Sequence, residues 1–191
     1  MKLGLISAIL GDLSFEEMID FLAECGLECV EVACWPKGKA ERRYAGVSHI
    51  DVDTLDDEKC AHILDYCQKK GVEISSLAYY PNTMDPDVEK RTAYIEHLHK
   101  LIDASAKLGV NMITTFIGRD PKKTVSQNLE LVKEIWPPIL DHAKEKGVKV
   151  AIENCPMLFT EDEWPGGQNL MTTPAIWRQV FEILDYDNFG N

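Results

Sequence analysis

Short apolar runs alternate along this chain with amphipathic segments closed by glycine, and that rhythm restricts the fold to a parallel α/β architecture. Strands are expected from Lys2 to Ala8, Glu28 to Cys34, Val72 to Tyr80 and Val110 to Ile117, and along Val148-Lys149-Val150-Ala151-Ile152-Glu153-Asn154. Ser14 caps the first helix, with Glu17 completing a capping box and Phe15, Met18, Ile19 and Leu22 forming the apolar face; Gly26 ends it. A longer loop, Trp35 to about Thr54, precedes a helix from Asp56 to Lys70, stopped by Gly71. Asp85-Pro86 opens a long helix to Leu108, stopped by Gly109. The segment Ser126 to Lys146 reads as a helix with Pro137-Pro138 inside it, so a kink or break is expected there. Thr173-Pro174 opens a last helix to about Asp185, and Asn188 to Asn191 reads as the start of a sixth strand.

Strand–helix alternation with short returns implies right-handed crossovers and parallel pairing. The single glycine in Ser7-Ala8-Ile9-Leu10-Gly11 does not make a dinucleotide turn, and neither a phosphate loop nor a G-x-S-x-G elbow occurs. A (β/α)8 barrel fits better than a doubly wound sheet. A full barrel takes about 250 residues, so residues 1–191 are expected to be a single domain holding about five βα units plus the start of strand six, its C-terminal part missing. Such a sheet leaves two unpaired edges, which suit pairing with a second molecule and a homo-oligomer.

The net charge of −12 argues against nucleic acid as a ligand. Lys37, Lys39, Arg42 and Arg43 form the one basic cluster, readable as a solvated loop or as a grip for a phosphate or carboxylate. No run approaches the roughly 18 apolar residues of a membrane span, and the N-terminal apolar stretch is short for a signal peptide. Six cysteines without a C-x-x-C pair read as buried thiols in a reducing, cytoplasmic compartment.

In a barrel the chemistry sits at the C-terminal strand ends. The side chains expected there are Ser7, Glu31, Trp35, Tyr79, Tyr80, Asn82, Thr115, Phe116, Arg119, Glu153 and Asn154. Aromatic and polar groups of this kind could grip a polyol against flat apolar walls. Glu31 faces the pocket if strand two is phased like strand five, and the outer face otherwise. Tyr79 and Tyr80 suit either substrate contact or packing against a loop. Arg119 suits a ligand or an ion pair in the region of Asp120. His62, His97, His99 and His142 fall on helices and read as solvated. Trp164 and its neighbouring glycines read as a lid or a subunit contact.

The segments Ala45-Gly46-Val47-Ser48-His49-Ile50-Asp51-Val52-Asp53, Tyr79-Tyr80-Pro81-Asn82, Thr115-Phe116-Ile117-Gly118-Arg119-Asp120, Ile152-Glu153-Asn154-Cys155-Pro156-Met157 and Trp164-Pro165-Gly166-Gly167-Gln168-Asn169 together carry a resemblance. With them the chain, from Lys2 to Asn191, resembles the sugar phosphate isomerase/epimerase family, the xylose isomerase-like TIM barrels. The resemblance implies carbohydrate metabolism and a divalent metal (Mn²⁺, Mg²⁺, Co²⁺ or Zn²⁺) held by a Glu at a middle-strand end, which Glu153 matches. The remaining ligands and the second catalytic carboxylate have no counterpart here, which leaves open whether the expected metal is bound, and the chain is expected to be inactive alone.

What the resemblance implies is an isomerase or epimerase acting on a sugar, sugar phosphate or related hydroxy-carbonyl compound by proton transfer. Glu153 would be catalytic and metal-binding; His49, Tyr80, Asn82, Asn154, Trp35 and Arg119 would bind substrate. The alternatives are an inosose-type dehydratase on the same scaffold and a non-catalytic sugar-binding or assembly remnant. Type 2 apurinic endonucleases share the fold but should carry histidine ligands on strands where this chain has Cys34-Trp35 and Tyr79-Tyr80.

Overall fold

The computed structural model describes residues 1–38, 45–156, 158 and 167–190. Its sheet has six parallel strands in chain order, β1 (Gly4–Ile6), β2 (Cys29–Ala33), β3 (Glu73–Ala78), β4 (Met112–Thr115), β5 (Lys149–Ile152) and β6 (Phe189–Gly190). Helices α1 (Phe15–Glu24), α2 (Asp57–Lys70), α3 (Val88–Lys107), α4 (Val125–Glu145) and α5 (Pro174–Ile183) alternate with them. That is the partial barrel expected from the alternation, with the sixth strand begun; Asn191 lies outside the described residues. The chain divides into two compact units, residues 1–79 with 100–113 and residues 80–99 with 114–191.

In the first unit β1 and β2 pair in register Gly4↔Cys29 to Ile6↔Glu31, and β2 and β3 from Cys29↔Glu73 to Ala33↔Ala78 with a bulge between Val30 and Glu31. β1 is shorter than expected, because Ser7–Leu10 turns into a 3₁₀ helix. The capping box at α1 is present: Ser14 Oγ accepts from the Glu17 N–H and Glu17 accepts from the Ser14 N–H. All of Phe15, Met18, Ile19 and Leu22 are buried. Val30 and Val32 are fully buried while Glu31 between them is only half so. Alternation therefore sets Glu31 on the face opposite the packed valines. Burial pushes the Cys34 thiol up, and that of Cys67 to about 11, so both remain protonated packing groups. None of the six cysteines is in a disulfide.

In the second unit β5 repeats this phasing: Val150 and Ile152 are buried, Glu153 exposed. β5 and β6 pair Val150↔Phe189 and Ala151↔Gly190. Pro137 and Pro138 do not break α4, which runs unbroken through them. A proline leaves the carbonyl four residues back without its helical donor. Those carbonyls belong to Lys133 and Glu134, both exposed, where water can serve them. On the opposite side Trp136, Ile139 and Leu140 are fully buried, and the Trp136 indole donates to the Ile117 carbonyl at 2.9 Å. No described helix is long and apolar enough to cross a membrane.

Candidate functional site

Where β5 ends, the Glu153 N–H makes a last ladder bond to the Thr115 carbonyl at 3.0 Å, and the side chains of Glu153 and Asn154 stand exposed. Behind them lies Asn169, fully buried, whose Nδ2 donates to the carbonyls of Glu153 (2.9 Å) and Cys155 (2.6 Å). The segment bearing Asn169 is itself tied down by the Leu170 N–H on the Gly118 carbonyl at 3.0 Å. Gly167 has φ +58°, and a Cβ there would lie 1.8 Å from the Pro156 carbonyl oxygen, so only glycine lets the two backbones approach.

Asn82 and Arg119 are brought together, in a way that the residue types alone did not indicate. Asn82 is 3% exposed. Its Oδ1 accepts from the N–H of Arg119 (2.8 Å) and of Met84 (3.2 Å), and its Nδ2 donates to the Arg119 carbonyl (2.8 Å). The side chain thus copies a strand edge and clamps the loop after β4. Gly118, at φ +83°, is obligatory for the clamp, since a Cβ there would stand 2.8 Å from Asn82 Oδ1. Arg119 does not pair with Asp120, which takes Lys123 at 2.9 Å. The buried Nε of Arg119 has no hydrogen-bond partner among the described residues. Tyr80 packs its ring on Phe116, 4.7 Å between centroids, as an apolar wall.

The first unit places His49 and Trp35 on the return that follows β2. Cys34 and Ser48 form an antiparallel bridge; the Trp35 N–H donates to Val47 and the His49 N–H to Ala33. Trp35 meets Tyr79 edge-on with centroids 4.9 Å apart. His49 Nε2 lies 3.2 Å from the Leu10 carbonyl, an acceptor, so Nε2 carries the proton. Nδ1 therefore accepts from Ser7 Oγ–H at 3.0 Å, and the fully buried Ser7 Oγ in turn accepts from the Ala33 N–H at 2.8 Å. Burial holds the His49 pKa below the usual imidazole range, against an opposing pull from the Leu10 carbonyl. Both ring nitrogens are thus engaged within the protein. Ser76 Oγ donates to Glu31 at 3.3 Å. Of the basic cluster, Lys37 is paired with Asp51 at 2.9 Å, while Lys39, Arg42 and Arg43 lie outside the described residues, as do Met157 and the Trp164 loop.

A hard divalent cation takes about six oxygen ligands, several of them carboxylates. Among the described residues no three His, Cys, Asp or Glu side chains converge, so these residues do not by themselves make a metal site.

A family model described as xylose isomerase-like TIM barrel matches residues 19–190. Among solved structures, a probable 3-DHS dehydratase, AsbF, from Bacillus anthracis is similar at TM-score 0.73 and 17% identity, over 100% of this chain and 62% of that one. A D-psicose 3-epimerase from Clostridium cellulolyticum H10, solved with D-tagatose, is similar at TM-score 0.67 and 18% identity, over 99% and 62%. An IOLI protein solved with a bound zinc atom gives TM-score 0.68 and 15% identity, over 100% and 61%. At these identities the likeness is one of fold, and the chain spans about three fifths of each structure's length. Compared by sequence with curated proteins, the chain matches none.

Proposed function

The chain belongs to the xylose isomerase-like TIM-barrel family, and from that premise we propose that it serves the isomerisation or epimerisation of a sugar, sugar phosphate or related hydroxy-carbonyl compound. The observation that carries this reading is Glu153, an exposed carboxylate at the C-terminal end of β5 whose backbone is held by Thr115 and Asn169. In that role the carboxylate takes the hydrogen beside the substrate carbonyl as a proton. The C–H electron pair becomes the double bond of an enediolate, and the carbonyl electrons move onto oxygen. Returning a proton to the opposite face of that carbon gives the epimer; returning it to the former carbonyl carbon, as the neighbouring hydroxyl passes its own proton to the former carbonyl oxygen, gives the isomer.

Tyr80 is the apolar wall in this reading, with Arg119 and Asn154 as hydrogen-bonding groups for substrate oxygens. Asn82 acts by shaping, because its polar atoms already serve the protein. Glu153 is also the residue offered to a divalent cation. With no trio of donors among the described residues, none of these steps runs through the ion, and the chain by itself is expected to carry only the proton abstraction and its reversal, seen as exchange with solvent without net conversion. A cytoplasmic, reducing setting suits six cysteines without a disulfide. The net charge of −12 disfavours nucleic acid.

The test is solvent exchange. A ketohexose such as D-psicose is incubated in D₂O with added Mn²⁺ and the protein, and deuterium beside the ketone is followed by NMR. Wild type should exceed the protein-free rate and Glu153→Ala should not; equal rates for the two proteins would sink the reading. Loss of water from an inosose, with no exchange into the ketohexose, would move the assignment to the dehydratase alternative.

A further inference from the structure

The β-ladder that fixes β5 ends at the Glu153 N–H, and among the described residues no further ladder bond follows at Asn154. Asn169 closes that gap. Its two N–H groups reach the carbonyls of Glu153 and Cys155, one on each side of Asn154, and so fix the peptide planes through which the chain turns out of the strand. The amide cannot be turned over, because a flipped oxygen would face two carbonyl acceptors. Its Oδ1 consequently points elsewhere, buried and with no partner among the described residues. Stability alone gives no reason to bury an unpaired amide oxygen; a demand for two N–H donors at this spot does. The constraint continues outward, since Leu170 is tied to Gly118 and the close approach at Gly167 seats the segment on Pro156.

We infer that Asn169 is a positioning residue that aims the Glu153 carboxylate by holding the backbone carbonyls on both sides of Asn154. The inference rests on the reading of Glu153 as the reacting carboxylate, and it adds a residue that touches neither substrate nor reacting atoms. Asn169 sets where the proton acceptor stands. A displacement of about 1 Å at such a group costs on the order of 100-fold in rate.

The test begins on the wild-type protein. In ¹³C,¹⁵N-labelled material the Asn169 side-chain amide should show scalar couplings across its hydrogen bonds to the carbonyl carbons of both Glu153 and Cys155, and slow exchange with solvent. Absence of both couplings overturns the inference without any variant. Asn169→Asp then keeps size while removing both donors, and Asn169→Ala removes the side chain. At pH 8, where carboxylates are ionised, either change should move the Glu153 side-chain carboxyl ¹³C signal and leave the Val30 and Val32 signals in place. The deuterium exchange described above should fall about 100-fold at unchanged half-saturating ketohexose. An unmoved Glu153 signal with undiminished exchange in a folded Asn169→Asp protein overturns the inference. Should Glu153→Gln exchange as fast as wild type while both couplings are present, the functional reading fails and the clip itself stands.

Discussion

The ends of β2 and β5 pose the same problem and solve it differently. Each strand carries a glutamate phased against two buried branched residues, Glu31 beside Val30 and Val32, Glu153 after Val150 and Ile152. Each is followed by a chain segment that returns to the strand end. At β2 the return is a backbone affair, with the bridge Cys34↔Ser48 and main-chain bonds from Trp35 and His49, and the Ser7–His49 pair added to it. At β5 the described part of the return is held by a side chain, Asn169, together with a main-chain bond from Leu170. A strand end held by backbone pairing tolerates side-chain change; one held by a side chain is sensitive to it, and that is where Glu153 sits.

The comparison can be broken or sharpened by substitution. The largest effect is expected where a side chain replaces backbone pairing outright. Asn82→Ala strips partners from the N–H and C=O of Arg119 and from the Met84 N–H, and should cost about 3 kcal/mol in denaturant unfolding. A loss under ~1 kcal/mol would mean the clamp is replaceable by water. Ser7→Ala, at the backbone-held end, should cost less, about 1–2 kcal/mol. Hydrogen exchange should show the Trp35 and His49 amides still protected, because their carbonyl partners remain. Fraying of both would erase the distinction between the two ends.

The smallest effect is on pH dependence. The His49 pKa is lowered on folding by burial, so the unfolded chain binds the extra proton first. The stability that neutral His49 contributes is complete above its unfolded pKa of about 6.5 and drains away as pH falls from there through the lower folded value. Melting temperatures between pH 8 and 5 should therefore fall less steeply toward acid in His49→Gln than in wild type. Parallel curves would show that His49 is not held neutral.

Much of the fold was legible because it is written in local chemistry. The Ser14–Glu17 box, the helix stops and the buried face of α1 follow from residue types at fixed spacings, and Glu153 was placed by the apolar run before it. What the chain does not show locally is who meets whom. Asn82 and Arg119 lie 37 residues apart and Ser7 and His49 42, so their types did not show that the Asn82 side chain would take the Arg119 backbone or that Ser7 would take the His49 ring. Asn169 appeared only as one letter of a longer motif, since nothing in its neighbours reveals that two carbonyls fourteen and sixteen residues back will face it. Of the kink or break expected at Pro137-Pro138, the break is absent for a related reason: the carbonyls that lose their donors sit on exposed residues, which the helical period predicts only once the buried face is known.

That unbroken α4 also has a kinetic meaning. A continuous helix through Trp136-Pro137-Pro138 requires both X–Pro bonds to be trans. In an unfolded chain each such bond is cis in roughly 10–30% of molecules, and the interconversion takes tens of seconds or more. A sizeable fraction of refolding chains must then wait on isomerisation before the Trp136 indole can reach the Ile117 carbonyl. The helix that carries Trp136 is thus an element whose completion a prolyl isomerase would hasten.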